Sequence, residues 1–238
     1  MRFTIILALF MGLACPASAQ ADTIVSASFG GAEVRLVIPK GYCAIDRTDP
    51  LGAIHYKMQD EGNKGKNAVG LLFADCAEWA KRQADNSYLL KHHGSYLFQL
   101  TNGQELLLPI TATRDDLIKI YVDYELKKAE LPIGARDQDL MKILKEKLAT
   151  SSINGPTLNS PINYGMIDKN TQAVFLGGGM NLQYPEDVVR VNFVTAATLV
   201  RRVSLSINLY GPNVVQKPFS DLLVQQKSLV KNLVAANE

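Results

Sequence analysis

The sequence is sparing with the residues that metal sites and cross-linked scaffolds depend on. It holds three cysteines, three histidines and one tryptophan in 238 residues. So few thiols exclude a dense disulfide framework. No Cys-x-x-Cys, His-Glu-x-x-His or Gly-x-Ser-x-Gly string occurs, which removes the local signatures of redox dithiols, zinc peptidases and hydrolase elbows. An excess of one charge is missing too. Lys+Arg 25 against Asp+Glu 23 leaves +2, too little to displace counterions from a phosphate backbone, so no nucleic-acid partner is expected. Beyond the N-terminus no apolar run approaches the ~20 residues of a membrane helix, so a chain freed of that segment should not span a bilayer. What is present is 47% hydrophobic residues, enough for a core.

Residues 1–21 read MRFTIILALFMGLACPASAQA. A cationic start at Arg2 leads into an apolar run from Phe3 to Cys15, then Pro16 and the small triplet Ala17-Ser18-Ala19. These are the three regions of a secretory signal, with small side chains where signal peptidase needs them. Residues 1–19 are therefore expected to be cleaved, leaving 20–238 as a single domain in the periplasm of a Gram-negative cell. The rival is a lipoprotein acylated on Cys15. Gly12 stands where such signals carry leucine, and Pro16 follows poorly.

Loss of Cys15 leaves Cys43 and Cys76, an even pair in an oxidising compartment. Their expected disulfide closes a loop of roughly 34 residues, about 3–4 kcal/mol on a chain-entropy account. The rival, a reactive thiol, lacks a flanking cation beside either cysteine.

Strand-like runs at 24–29 and 32–38 flank Gly30-Gly31 and predict a hairpin. Thr48 or Asp49 can cap a helix with Pro50 at its first position, whose core face would be Leu51, Ile54 and Met58. GNKGKN (62–67) ends it; 67–76 reads as a buried strand and 76–84 as a short helix. Strands are expected at 87–92, 94–100 and 105–110, the last two joined through Asn102-Gly103. Residues 113–130 carry both periods; the Thr113/Asp116 capping box favours helix. A second helix is expected over 137–149, giving a helical insertion around 113–149, with a turn-rich connector at 151–161. Hairpins follow at 162–168 with 172–178, and at 188–200 with 202–211 turning near Arg201-Arg202. An amphipathic helix over 219–237 closes the chain. Antiparallel hairpins with helices between them make an α+β fold: a mostly antiparallel sheet with packed helices.

Two stretches carry a resemblance. VRLVIPKGYC (34–43) resembles the opening of Mog1/PsbP-like domains, where a strand enters a Pro-containing turn. VNFVTAATLVRRVSLSINLYG (191–211), followed by an amphipathic helix, resembles their closing hairpin and packed C-terminal helix. The resemblance covers about a quarter of the mature chain. It implies an α/β/α sandwich around an antiparallel sheet and a non-catalytic role in assembly or binding. It carries no fixed catalytic set. The helical segment at 113–149 is long for such a domain.

Other constellations read more plainly as structure. His92 and His93 are adjacent, and neighbours on a strand face opposite ways, so they do not converge on one metal. His55 beside its helix's apolar stripe reads as a histidine satisfied by a nearby hydrogen bond. GNKGKN lacks the spacing of a phosphate loop and reads as a solvated basic turn. Gly177-Gly178-Gly179 reads as a loop leaving a strand. Asp115 with Asp116 and Asp137 with Asp139 stand where helix starts favour acids. Trp79 is expected to pack against the disulfide. Arg201 and Arg202, at a hairpin tip, are either a solvated turn or a contact for an anionic partner. No catalytic, cofactor or metal residue is assigned. The reading is a periplasmic, non-enzymatic binding or assembly module for a protein or envelope component. The alternative is a small-molecule or metal-binding protein, or an enzyme, whose site gathers distant residues.

Overall fold

The computed structural model describes residues 22–129, 157–183, 188–212 and 219–238. The expected signal segment and the helix expected over 137–149 lie outside them.

The chain opens with a hairpin of β1 (Thr23–Phe29) and β2 (Ala32–Ile38), turning on Gly30 and Gly31, both at positive φ. Short β3 (Tyr42–Ala44) leads to helix α1 (Pro50–Asn63), β4 (Asn67–Asp75), α2 (Cys76–Ala84) and β5 (His93–Gln99). Helix α3 (Arg114–Ala129) follows, then β6 (Thr157–Lys169), β7 (Val174–Gln183), β8 (Val188–Val200), β9 (Val203–Pro212) and α4 (Ser220–Asn237). Seven strands form one sheet in the order β3-β4-β5-β9-β8-β7-β6, each pair antiparallel. The arrangement is α+β, as the strand pattern predicts.

Side-chain alternation gives the sheet two faces. One carries Phe73, Tyr96, Phe98, Leu205, Ile207, Leu209, Val194 and Phe175, buried against the β1–β2 hairpin and against Leu229, Val230, Leu233 and Val234 of α4. Each such side chain contributes roughly 1.5–3 kcal/mol when taken from water, so this layer holds the fold. The Tyr96 hydroxyl donates to the Val37 carbonyl at 2.6 Å and ties hairpin to sheet. On the other face Val69, Leu72, Ala74 and Leu97 meet Ile45, Tyr56 of α1 and Trp79 of α2. Helix α3 packs there against β6, β7 and β8.

The helix ends follow the sequence signals. Asp49 caps α1 by accepting the Gly52 N–H at 3.0 Å, behind Pro50. Asp75 caps α2 by accepting the N–H groups of Ala77 and Glu78. In α3, Thr113 and Asp116 exchange hydrogen bonds as a capping box, so helix prevails over strand there.

Five expectations are corrected. Residues 87–92 form no strand, because their backbone groups bond side chains of α2: Glu78 accepts the N–H groups of Lys91 and His92, and Arg82 donates to the Tyr88 carbonyl. Residues 105–110 form none either. The Leu108 N–H donates to the Arg202 carbonyl, and the Arg202 Nε donates to the Leu108 carbonyl. Asn102-Gly103 does make a positive-φ turn, closed by a lone Thr101–Gln104 bridge. Helix α1 buries only the start of the Leu51, Ile54 and Met58 stripe, where Leu51 packs, partly buried, against the Tyr56 cluster. Gly52 sits so close to the Asp46 carbonyl that only glycine fits, and this turns Tyr56 inward and leaves Ile54 46% and Met58 43% exposed. The three glycines at 177–179 lie inside β7 rather than in a loop. A Cβ on Gly178 would meet the Phe193 ring at 2.0 Å, so the glycine makes room for the aromatic. The connector expected over 151–161 is strand from Thr157 onward. Pro161 falls within the first of three register breaks along β6, an edge strand, where a missing N–H is tolerated.

Candidate functional site

Cys43 on β3 and Cys76 at the start of α2 are bridged, their Cα atoms 5.0 Å apart. The register Cys43↔Ala74 brings β3 alongside the end of β4, and the Asp75 cap starts α2 at once. The chain order β4–α2 therefore fixes where α2 lies, and α2 in turn builds a polar cluster.

Glu78 projects from the first turn of α2 and is buried. One oxygen accepts the Lys91 N–H at 2.7 Å and the His92 N–H at 2.9 Å; the other meets the His92 Nδ1 at 2.8 Å. Burial by itself would raise the Glu78 carboxyl, but the His92 and Lys91 hydrogen bonds outweigh it and hold it below the usual range. One turn on, Arg82 donates through Nη1 to the Tyr88 carbonyl at 2.9 Å. His55 of α1 meets the Trp79 ring edge-on, centroids 5.6 Å apart. His93 opens β5 and stacks on Tyr210 of β9, centroids 4.5 Å apart and planes 6° from parallel.

Three nitrogens in this cluster are buried without a hydrogen-bond partner: His55 Nε2, Arg82 Nε and His93 Nδ1. Their side chains share one neighbourhood. Burial, then the charge of Arg82, pushes the His55 imidazole down; burial, then His55, pushes His93 down to about 4. Both rings are therefore neutral near pH 7, and Arg82 is a fixed cation beside them.

From His93 the sheet carries two parallel rows across β5, β9 and β8. The first is aromatic: His93 on Tyr210, then Tyr210 beside Phe193 at 5.9 Å, which lies over Gly178. Burial pushes the Tyr210 phenol up to about 12. The second is polar: the Thr195 hydroxyl donates to Asn208 Oδ1 at 2.6 Å, and Asn208 Nδ2 donates to the Ser95 hydroxyl at 3.0 Å. Register pairs Ser95 with Asn208 and Asn208 with Thr195, so these are direct cross-strand contacts.

The β8–β9 turn is the second feature. Arg201 and Arg202 sit at φ 47° and 68°, the left-handed region usually left to Asn and Gly. Both are exposed, but Arg202 is engaged within the chain, donating to the Leu108 carbonyl at 2.7 Å. Next to that turn Arg114 Nε donates to the Leu199 carbonyl at 3.1 Å.

The structure thus parts the residues singled out in the sequence. His92 goes to Glu78, His93 to Tyr210 and His55 to Trp79, and Trp79 joins the Tyr56 cluster. The expected hydrogen bond to the His55 ring is missing at its Nε2. Asp116 serves the α3 cap, while Asp137 and Asp139 lie outside the described residues. Among the described residues no group of three His, Cys, Asp or Glu side chains is placed to hold a metal ion, and no helix is long and apolar enough to cross a membrane. Sequence reasoning missed Glu78 and Arg82, whose spacing on α2 reads only as a charged helix face. It also missed the Ser95–Asn208–Thr195 row, where only the pairing register carries the signal.

No protein-family model matches the sequence, and no curated protein matches it. Among solved structures the chain is similar to the solution structure of cyanobacterial PsbP (CyanoP) from Synechocystis sp. PCC 6803. Identity is 13%, the TM-score is 0.37, and the alignment covers 94% of this chain and 96% of that one, a weak PsbP-like likeness.

Proposed function

We propose that this chain is an exported binding or assembly module, matured by loss of residues 1–19, that engages a protein or envelope component through the tip of the β8–β9 hairpin. The observation that carries the reading is the pair Arg201-Arg202. Two arginines in left-handed backbone cost roughly 1–2 kcal/mol each, and strain kept at an exposed tip is a mark of function. Arg202 fastens the 105–110 segment to the hairpin tip. Arg201 presents a guanidinium to solvent, and Ile110, 84% exposed, stands on the segment that Arg202 holds. An exposed cation and an exposed apolar side chain on two joined segments suit a protein surface bearing carboxylates. Export agrees with the bridged cysteines, which need an oxidising compartment, and with the tripartite start of the chain.

A photo-crosslinking residue placed at position 201 in living cells tests this, with Val224 on α4 as the exposed control. A discrete protein adduct from 201 and none from 224 is the expected result. No adduct, or equal labelling at both, overturns it. Sequencing the native N-terminus tests export separately: a chain starting near Gln20 agrees, and one starting at Met1 does not.

A further inference from the structure

Buried nitrogens without partners are rare, because each forfeits its hydrogen bonds to water for nothing in return, at roughly 1–3 kcal/mol. Here three occur together, one each on α1, α2 and β5: His55 Nε2, Arg82 Nε and His93 Nδ1. The elements that carry them are otherwise well tied. Arg82 spends Nη1 on the Tyr88 carbonyl, Glu78 accepts from His92 and two backbone N–H groups, and the His93 ring is stacked on Tyr210 and donates to the Leu90 carbonyl. The orphan atoms are thus not the result of a loose region.

Their chemistry narrows the occupant. Arg82 Nε is a donor that cannot be deprotonated, so it requires an acceptor. His55 can present a donor by choice of tautomer, and His93, whose ring already donates to the Leu90 carbonyl, presents a second by taking up a proton. A metal ion is disfavoured by the arginine cation and by the lack of a third ligand among the described residues. The carboxylate of Glu78 cannot serve, since its oxygens are already engaged. An incoming oxyanion, with negative charge and several lone pairs, has the acceptor chemistry that these nitrogens call for.

We propose that His55, Arg82 and His93 form a binding site for a small oxyanion, a carboxylate or a phosphate, at the junction of α1, α2 and β5. Arg82 supplies the permanent charge and one N–H. His55 and His93 close round the anion and become more basic when it is bound, so occupancy couples to proton uptake. Trp79 and Tyr210 form walls that keep both rings in place.

The test is a titration of the purified full-length mature protein with inorganic phosphate and, in a separate arm, with acetate. Imidazole resonances of His55 and His93 are followed by NMR at pH 7 and constant ionic strength. Saturable, correlated shifts of both rings are expected, and the arm that saturates first identifies phosphate or carboxylate chemistry. Arg82→Lys keeps the charge but loses the Nε donor, and should weaken binding at least tenfold while circular dichroism remains native. Should that variant fail to fold, His93→Gln serves in its place, with the same tenfold loss expected. Shifts that stay linear to high concentration in both arms overturn the proposal. So does affinity unchanged by the variant, or a high-resolution structure grown in phosphate with only a water bridging the three nitrogens.

Discussion

The carboxamide of Asn237 grips the backbone of Arg35 from both sides: Oδ1 accepts the Arg35 N–H at 3.0 Å, and Nδ2 donates to the Arg35 carbonyl at 2.8 Å. One side chain at the end of α4 thereby completes a ladder position on the free side of β2, 202 residues away in the chain. Replacing it strands two backbone groups in a partly buried place. Asn237→Ala should lower stability by about 2 kcal/mol, read as a reduced urea midpoint with unchanged slope.

The Cys43–Cys76 bridge spans a sequence separation of 33. On a chain-entropy account, a double Cys43→Ala, Cys76→Ala variant should lose about 3–4 kcal/mol. Treatment of the native protein with a reductant should lower its melting temperature toward that of the variant. A melting curve unmoved by the reductant, with both thiols titratable beforehand, would show that no bridge forms.

Two glycines on one helix should respond in opposite directions. A Cβ on Gly52 would lie 1.9 Å from the Asp46 carbonyl oxygen, which is backbone and cannot step aside. Gly52→Ala should therefore cost about 2–3 kcal/mol or more. Gly62, in the last turn of α1, has nothing within 4 Å of that position, so Gly62→Ala should gain roughly 0.5–1 kcal/mol. Denaturation of the two variants side by side decides the matter.

Stability should fall on mild acidification. His93, pushed down to about 4 by burial and then by His55, and His55, pushed down by burial and then by Arg82, protonate less readily folded than unfolded, where the ordinary value is 6.5. Between those values the unfolded chain binds more protons, so stability declines as pH falls from about 6.5 toward 4. Glu78, held below its ordinary 4.5, acts in the same direction at lower pH: its contribution is present above that value and is lost as pH falls through its folded one. Urea midpoints at pH 7, 5.5 and 4.5 should drop in that order, and His93→Phe should flatten the upper part of the slope.

At the hairpin tip, Arg201→Asn puts a residue that tolerates φ 47° where an arginine is strained, and should raise stability by roughly 0.5–1 kcal/mol. A thermal melt measures this directly. Lower stability would mean that the arginine is held by contacts worth more than its strain.

Periodicity made most of the architecture legible. The runs 188–200 and 202–211 read as a hairpin and form β8 and β9, and the Thr113–Asp116 box decides between two periods in α3. It failed where tertiary contacts took over the backbone. Residues 87–92 look like a strand, but Glu78 and Arg82 claim their N–H and carbonyl groups; a sequence shows the alternation and not the claimant. Along the apolar stripe of α1 Leu51 packs inward while Ile54 and Met58 stay exposed, since the helix is seated by one backbone approach at Gly52. The cluster of His55, Arg82 and His93 was not legible at all. Its members come from three elements, and only the pairing of β5 between β4 and β9 brings them together.

The broken outer margin of the sheet reaches beyond the single molecule. Along β6 the pairing slips at three places, between Asn159 and Ile162, Asn163 and Gly165, and Met166 and Asp168, and proline interrupts the donors at 161. A neighbouring copy laid against that rim would find its hydrogen-bonding groups out of step at each slip, so growth strand by strand is blocked at this side.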